Sequence, residues 1–256
     1  MIACAVPCSA AKKLQLIRTL IFEATVKEPS SFEKRELIVS QDGSSSLYLP
    51  GLDETYHNRR GALTESEFIF IEKGLKNKAL DLSGSAPIRV LEVGMGTGLN
   101  VLLTQRFADS TSKLVEMVTL EPYPLTPSEW EALNYGELLN MREEFNALHE
   151  ASWEKAIELS PFFTITKLKT RLETLDGCQN AFDVIYMDAF APSRQSEIWS
   201  KDNLTILFNS LRDGGILVTY CAQGQFKRDL KEVGFMTEHP SGPLGKKEMT
   251  IARKEA

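Results

Sequence analysis

The chain has 256 residues, a formal net charge of −6 and 43% hydrophobic residues, enough to bury a full core in one domain with a small appendage. No apolar run approaches the ~20 residues that a bilayer-spanning helix needs. In the opening stretch MIACAVPCSAAKKLQLIRTLIF the apolar part precedes the lysines, the reverse of the secretory order.

The four cysteines form no CxxC pair and the three histidines no metal-ligand spacing. Disulfide and zinc scaffolds are disfavoured, and the expectation is a cytoplasmic protein with no metal and no membrane partner. Charge is uneven: residues 121–160 hold nine Glu against two basic residues. The overall sign is therefore a poor guide to nucleic-acid binding, which depends on a local patch.

In chain order, residues 1–22 read as a leader or short helix and residues 23–80 as an appendage. Its segment 36–49, ELIVSQDGSSSLYL, predicts a hairpin turning at Asp42 and Gly43. Residues 63–78 have helical spacing and open with Thr64-x-x-Glu67, a capping-box pattern. Residues 81–256 form the main domain. Strands are expected at 88–93, 115–120, 163–168, 184–188, 216–220, 233–239 and 248–253, with helical stretches at 99–108, 128–158, 171–177 and 201–212. Such alternation predicts an α/β fold, a doubly wound seven-stranded sheet whose last strand pair is antiparallel. Ligands of these sheets bind beyond the carboxyl ends of the strands.

Three strand ends then matter. The first runs into LEVGMGTGLN, with Gly94, Gly96 and Gly98 alternating. Glycines admit positive φ and let a ligand approach the backbone, and the next helix starts there. Leucine at position 99 breaks the dinucleotide fingerprint, and no GK[ST] follows, which removes the P-loop reading. The second strand ends at Glu121, placed to accept ribose hydroxyls. The fourth ends at Asp188, followed by Phe190 and Pro192 as a wall for a flat substrate. A tight turn, a surface glutamate and a turn-capping aspartate are the plain structural alternatives.

LEVGMGTG resembles the first motif of class I S-adenosylmethionine-dependent methyltransferases, whose Rossmann-like fold is the one expected here. GMGTGLN, LEPYPLT, MDAFAPSRQSEIW, GGILVTYCAQGQFKRDLKEVGF and GPLGKKEM, in this order, are similar to the MnmC-type methyltransferase domain, as is the upstream ETYHNRRGALTES. That family completes 5-methylaminomethyl-2-thiouridine at the wobble position of tRNA. The resemblance covers residues 35–253. It implies S-adenosyl-L-methionine as cofactor, held by Glu92, Gly94, Gly96, Gly98, Asn100, Glu121, Pro122 and Asp188. It implies Asp188 as the catalytic residue at the target amine. Tyr56, Glu65, Phe190, Ala191, Pro192 and Trp199 would shape the substrate pocket.

The implied partners are the tRNA anticodon loop, met by Lys246, Lys247 and Arg228, and a separate chain supplying the aminomethyl precursor, because the flavin-dependent domain of bifunctional members has no counterpart in these residues. Arg59, Arg60, Lys227 and Lys231 are further phosphate-contact candidates. The sequence departs from the family after the third strand, where Lys169, Thr170 and Arg171 replace the acid that meets adenine. Backbone groups, Glu173 or Asp176 would have to serve. A small-amine methyltransferase and an aminopropyl transferase of the same fold are the competing readings.

Overall fold

The computed structural model describes residues 34–82, 84–243, 245 and 247–255. The expected leader, Cys4, Cys8 and Lys246 lie outside the described residues. Strands β1 (Glu36–Val39) and β2 (Ser45–Leu49) pair across the turn at Asp42 and Gly43, and β3 (Glu54–Thr55) completes a small antiparallel sheet. Gly43 has φ +84°, the left-handed conformation that suits glycine.

Helix α1 (residues 62–81) is α-helical over Ala62–Ser66 and Asn77–Asp81 and widens to π-helical turns over Glu67–Lys76. The expected capping box at Thr64 does not start it. The hairpin turn does: Ser44 Oγ accepts from the Ala62 and Leu63 N–H groups at 3.1 and 3.2 Å, and Asp42 Oδ2 accepts from Thr64 N at 3.0 Å. Residues that read as a turn signal thus also satisfy the helix's orphan donors. A capping box does occur at Thr126 and Glu129.

The main sheet follows as β4 (Ile88–Val93), α2 (Leu99–Thr111), β5 (Val115–Leu120), the short helices α3 (Pro127–Glu131), α4 (Tyr135–Leu139) and α5 (Arg142–Glu150), β6 (Ala156–Ser160) and β7 (Phe163–Leu168). A 3₁₀ turn at Leu172–Leu175, β8 (Phe182–Met187), a second turn at Ser196–Trp199, α6 (Lys201–Ser210), β9 (Leu211–Thr219), α7 (Gly224–Val233), β10 (Met236–Glu238) and β11 (Thr250–Arg253) complete it. The order is β10-β11-β9-β8-β4-β5-β7-β6. The strands β7, β5, β4, β8 and β9 run parallel, and β11 and β10 are antiparallel additions at one edge.

All seven predicted strands are present, and β6 is an eighth, antiparallel to β7. Its residues were expected to end a helix over 128–158. Glu154-Lys155-Ala156 and Glu158-Leu159 are good helix formers, but Asn140 and Glu154 sit at positive φ, and pairing of Ile157 with Ile165 outweighs the local preference.

Successive strand residues feed opposite faces of the sheet. Val90, Met117, Ile165, Val184 and Val218 join one buried cluster with α1, α2 and α5. Leu91, Val118, Ile185 and Leu217 join another with α6 and α7. Helix α1 lies directly on the sheet: Phe70 packs on Tyr186 with ring centroids 5.2 Å apart. A Cβ at Gly74 would come within 3.0 Å of Val218.

Register sets the site. Val93 pairs with Leu120 on one side and Met187 on the other. Gly94, Glu121 and Asp188, each one residue further on, therefore emerge at the same level. The chain leaves β4 toward β5 and β7 and returns on the other side to β8 and β9, so the β4–β8 boundary is the switch point where such sheets open a crevice.

Candidate active site

A cleft of about 500 Å³ opens at these strand ends, within the size range of small-molecule sites. Its floor is the glycine turn. Gly94 has φ +92°, and a Cβ there would lie 2.7 Å from the Asp188 carbonyl oxygen, so glycine lets the ends of β4 and β8 close on each other. Gly96 has φ +51°, and a Cβ there would lie 3.0 Å from the Tyr56 ring. Its N–H donates to Glu121 Oε2 at 2.9 Å, while Glu121 Oε1 accepts from Tyr123 N at 2.9 Å. Gly98, left-handed, caps α2 without a side-chain bond. That leaves the first turn of α2 to present N–H groups and a positive dipole end to the cleft.

Asp188 stands on the β8 side. Its N–H donates to Val93 O at 3.1 Å, and its Oδ2 accepts from Asn100 Nδ2 at 2.8 Å. The loop beyond is tied from behind: Tyr220 Oη donates to Ala189 O at 2.7 Å, and Trp199 Nε1 donates to Phe190 O at 2.7 Å. Phe190 meets Tyr56 edge-on at 5.1 Å. Arg194, further along, pairs with Asp53 at 3.4 Å and Glu54 at 3.7 Å, joining this loop to the small sheet.

The opposite wall comes from residues 54–65. The Tyr56 hydroxyl accepts from Arg35 Nε at 2.9 Å, and the same guanidinium reaches Tyr123 O at 3.1 Å and Glu129 at 3.3 Å. Burial pushes the Tyr56 phenol well above its ordinary range. His57 contacts Ser46 Oγ at 3.0 Å through Nδ1, and burial lowers its pKa to about 4, so its imidazole is neutral at pH 7. Glu65 is 7% exposed and its Oε2 accepts from Asn58 N at 3.1 Å. Tyr220 is held protonated by burial first and then by negative charge, including that of Asp188, Glu65 and Glu54. Those three carboxyl groups line the cleft with Tyr220.

Of the cofactor and substrate-pocket residues singled out in the sequence, Gly94, Gly96, Asn100, Glu121, Pro122, Tyr56, Glu65, Asp188, Phe190 and Ala191 line the cleft together. Four do not. Gly98 acts as the helix cap. Pro192 is half-buried in the loop outside the lining. Trp199 is 5% exposed and packs edge-on against Phe226 at 5.0 Å; it braces the loop rather than offering a stacking face. Glu92 is 0% exposed, one residue before the end of β4, behind the wall rather than on it.

Beyond the end of β7, where the sequence placed adenine recognition, Thr170, Arg171 and Glu173 line the cleft and Asp176 does not. Glu173 Oε1 accepts from Asn203 Nδ2 at 3.1 Å. The Arg171 guanidinium lies 5.7 Å from the Tyr123 ring centroid. Lys247 and Arg228 are exposed and outside the cleft, as phosphate contacts would be. Sequence reasoning passed over Tyr220 and His57. Tyr220 directly follows β9, next to β8 in the sheet, so the strand-end rule reaches it. His57 was set aside with the other scattered histidines.

The donor set suits S-adenosyl-L-methionine: a turn with no Cβ at Gly94 or Gly96, a helix N-terminus, and the Glu121 carboxylate just past the end of β5. Among the described residues no cluster of three or more His, Cys, Asp or Glu could hold a metal ion, and no helix is long and apolar enough to cross a membrane.

Residues 130–255 match a family model described as S-adenosyl-L-methionine-dependent methyltransferase. The chain is 31% identical over 237 residues to the tRNA 5-methylaminomethyl-2-thiouridine biosynthesis bifunctional protein MnmC of Cupriavidus metallidurans, covering 86% of this chain and 34% of that protein. To the MnmC of Cupriavidus necator it is 29% identical over 238 residues, covering 88% and 35%. It thus spans about a third of the length of these curated relatives. Among solved structures, MNMC2 from Aquifex aeolicus has a TM-score of 0.72 at 21% identity, covering 96% of this chain and 77% of that one. A spermidine synthase from Thermotoga maritima gives 0.50 at 14%, covering 91% and 83%; both likenesses concern the fold. With the site and the family match in agreement, the chain belongs to this MnmC-type family of S-adenosyl-L-methionine-dependent methyltransferases.

Proposed function

We propose that this chain methylates the aminomethyl group on the wobble uridine of tRNA, giving 5-methylaminomethyl-2-thiouridine. The observation that carries the reading is that Asp188, Glu65 and Glu54 line the cleft together with Tyr220, whose phenol their charge helps keep protonated. A cleft lined with carboxyl groups suits an acceptor that arrives as an alkylammonium. The names of the curated relatives support the choice of tRNA.

In this reading Gly94, Gly96 and the first turn of α2 cradle the methionine part of the cofactor. Glu121 holds the ribose, with Asn100 and Pro122 beside it, and Thr170, Arg171 and Glu173 border the adenine. When bound, S-adenosyl-L-methionine supplies an activated methyl group on a sulfonium. Asp188, oriented by Asn100, accepts a hydrogen bond from the amine and aims its lone pair. Glu65 and Glu54 draw the cationic acceptor in, but they also favour its protonated form. The proton must leave before the lone pair is available, and Asp188 is the group placed to take it. An ordinary carboxylate near ~4 is a weak base for an alkylamine near ~10, so orientation weighs more than proton abstraction.

The uridine has to leave its stack to enter the cleft. Tyr56 and Phe190, fixed edge-to-face, form an aromatic wall for it. Lys247 and Arg228, with Arg59 at the rim, meet phosphates, and Lys246 joins them by its place in the sequence. A separate chain delivers the aminomethyl precursor, and the setting is the cytoplasm. The test is methyl transfer from labelled S-adenosyl-L-methionine to tRNA from cells lacking this protein, followed by digestion to nucleosides. Label in the methylaminomethyl uridine is expected; label in added small amines but never in tRNA would overturn the reading.

A further inference from the structure

Behind the cleft wall lies a carboxyl group that the reading above leaves unused. Glu92 is fully buried, on the face of β4 covered by α2. Its register partner on β5 is Thr119, whose hydroxyl donates to Glu92 Oε2 at 2.6 Å. The other oxygen, Oε1, has no hydrogen-bond partner among the described residues. Neither has Asn100 Oδ1, and the Asn100 side chain is one of the groups that bear on the Glu92 carboxyl, opposing the rise that burial causes. The amide nitrogen of the same Asn100 is the donor to Asp188 Oδ2 at 2.8 Å.

Two buried acceptors without partners, on side chains that bear on each other, make a costly arrangement for an ionised glutamate. One proton on Glu92 Oε1 resolves both: the acid donates to Asn100 Oδ1 and still accepts from Thr119. The carboxamide is then locked one way round, oxygen toward Glu92 and NH₂ toward Asp188. Rotated by half a turn, it would set an oxygen against the Asp188 carboxylate.

We propose that Glu92 is a positioning residue: its carboxyl group fixes the Asn100 carboxamide, which in turn holds Asp188 in place for the acceptor amine. The proposal rests on the reading of Asp188 given above. Burial, with like charge from Asp188 and Glu121, pushes Glu92 well above the usual carboxylate range, which agrees with a neutral acid. Glu92 would then act on the acceptor half of the site and not as an ionic ligand of the cofactor.

The test joins a spectroscopic and a kinetic readout on the full chain. The infrared difference spectrum between wild type and Glu92→Gln, without cofactor at pH 8, should contain a carboxylic-acid C=O band from Glu92; carboxylate bands alone would overturn the proposal. In single-turnover transfer at saturating cofactor, Glu92→Leu should slow the step about 10- to 100-fold, as misplacement of a catalytic group does. Cofactor affinity should stay within about threefold, and Glu92→Gln, which can donate to Asn100 and accept from Thr119, should recover most of the rate. A Glu92→Gln variant that loses cofactor affinity, or a folded Glu92→Leu variant that keeps the rate, would contradict it. Should Glu92→Leu fail to fold, the infrared result and Glu92→Gln still decide. Asp188→Ala separates the levels: full transfer in that variant would overturn the reading of Asp188, and this proposal with it, whatever the infrared band shows.

Discussion

The two halves of the cleft are built differently. The glycine-turn half is made by backbone within about thirty residues of chain, Gly94 to Tyr123, held by the register of β4 and β5. The acceptor half gathers side chains from residues 54–65, the β8 loop and Tyr220, tied by contacts such as Arg194 with Asp53 and Tyr220 with Ala189. In the proposed function, backbone geometry recognises the invariant cofactor and side chains from scattered elements set what is done to its partner. The division predicts that damage to the first half appears as lost cofactor affinity and damage to the second as lost rate or acceptor affinity.

The largest effect should come from Gly96→Val. Positive φ and the Tyr56 ring at 3.0 Å leave no room for a branched side chain, and titration calorimetry should detect no S-adenosyl-L-methionine binding. Next, Glu121→Ala removes the acceptor for Gly96 N and Tyr123 N. Cofactor Kd should rise about 10- to 100-fold by the same assay, at about 1.4 kcal/mol per tenfold. Glu65→Gln should instead raise the acceptor KM about tenfold with little change in kcat, the signature of lost uniform binding. Were it to weaken the cofactor, the division would fail.

A smaller effect concerns pH. Burial lowers His57 to about 4 and His149 to about 3 from an ordinary 6.5. Below 6.5 the unfolded chain binds protons that the folded chain refuses, so stability present at neutral pH falls as pH drops toward 4. Each histidine contributes a slope of up to about 1.4 kcal/mol per pH unit. Glu92, raised, acts in the opposite sense: its contribution is full below the ordinary carboxylate range and is lost as pH rises. Urea unfolding between pH 7 and 5 should show the net acid loss, and His57→Gln should flatten it. The smallest effect is at the periphery. Lys247→Glu should lower the slope of log Kd for tRNA against log salt by about one contact and leave transfer from bound tRNA unchanged.

The sequence reveals the backbone half better than the side-chain half, for a physical reason. Strand ends are legible because apolar runs stop abruptly, and Gly94, Glu121 and Asp188 stand where those runs stop. Trp199 and Glu92 carry no such mark. Whether an indole faces a pocket or braces Phe190 from behind, and whether a carboxyl lines a cleft or lies beneath it, depends on helix placement that periodicity does not specify. Strand β6 was missed because its residues favour helix locally and are turned into strand by β7. Tyr220 shows the converse: its position at a strand end was legible, but a tyrosine after an apolar run reads as core.

The sharpest check on the division is to measure cofactor Kd and single-turnover transfer to tRNA side by side for wild type and Asp188→Ala. The account predicts a rate lower by about 10²–10⁴-fold with the Kd within about threefold. A Kd that rises in step with the loss of rate would make Asp188 part of the cofactor's own binding and contradict it.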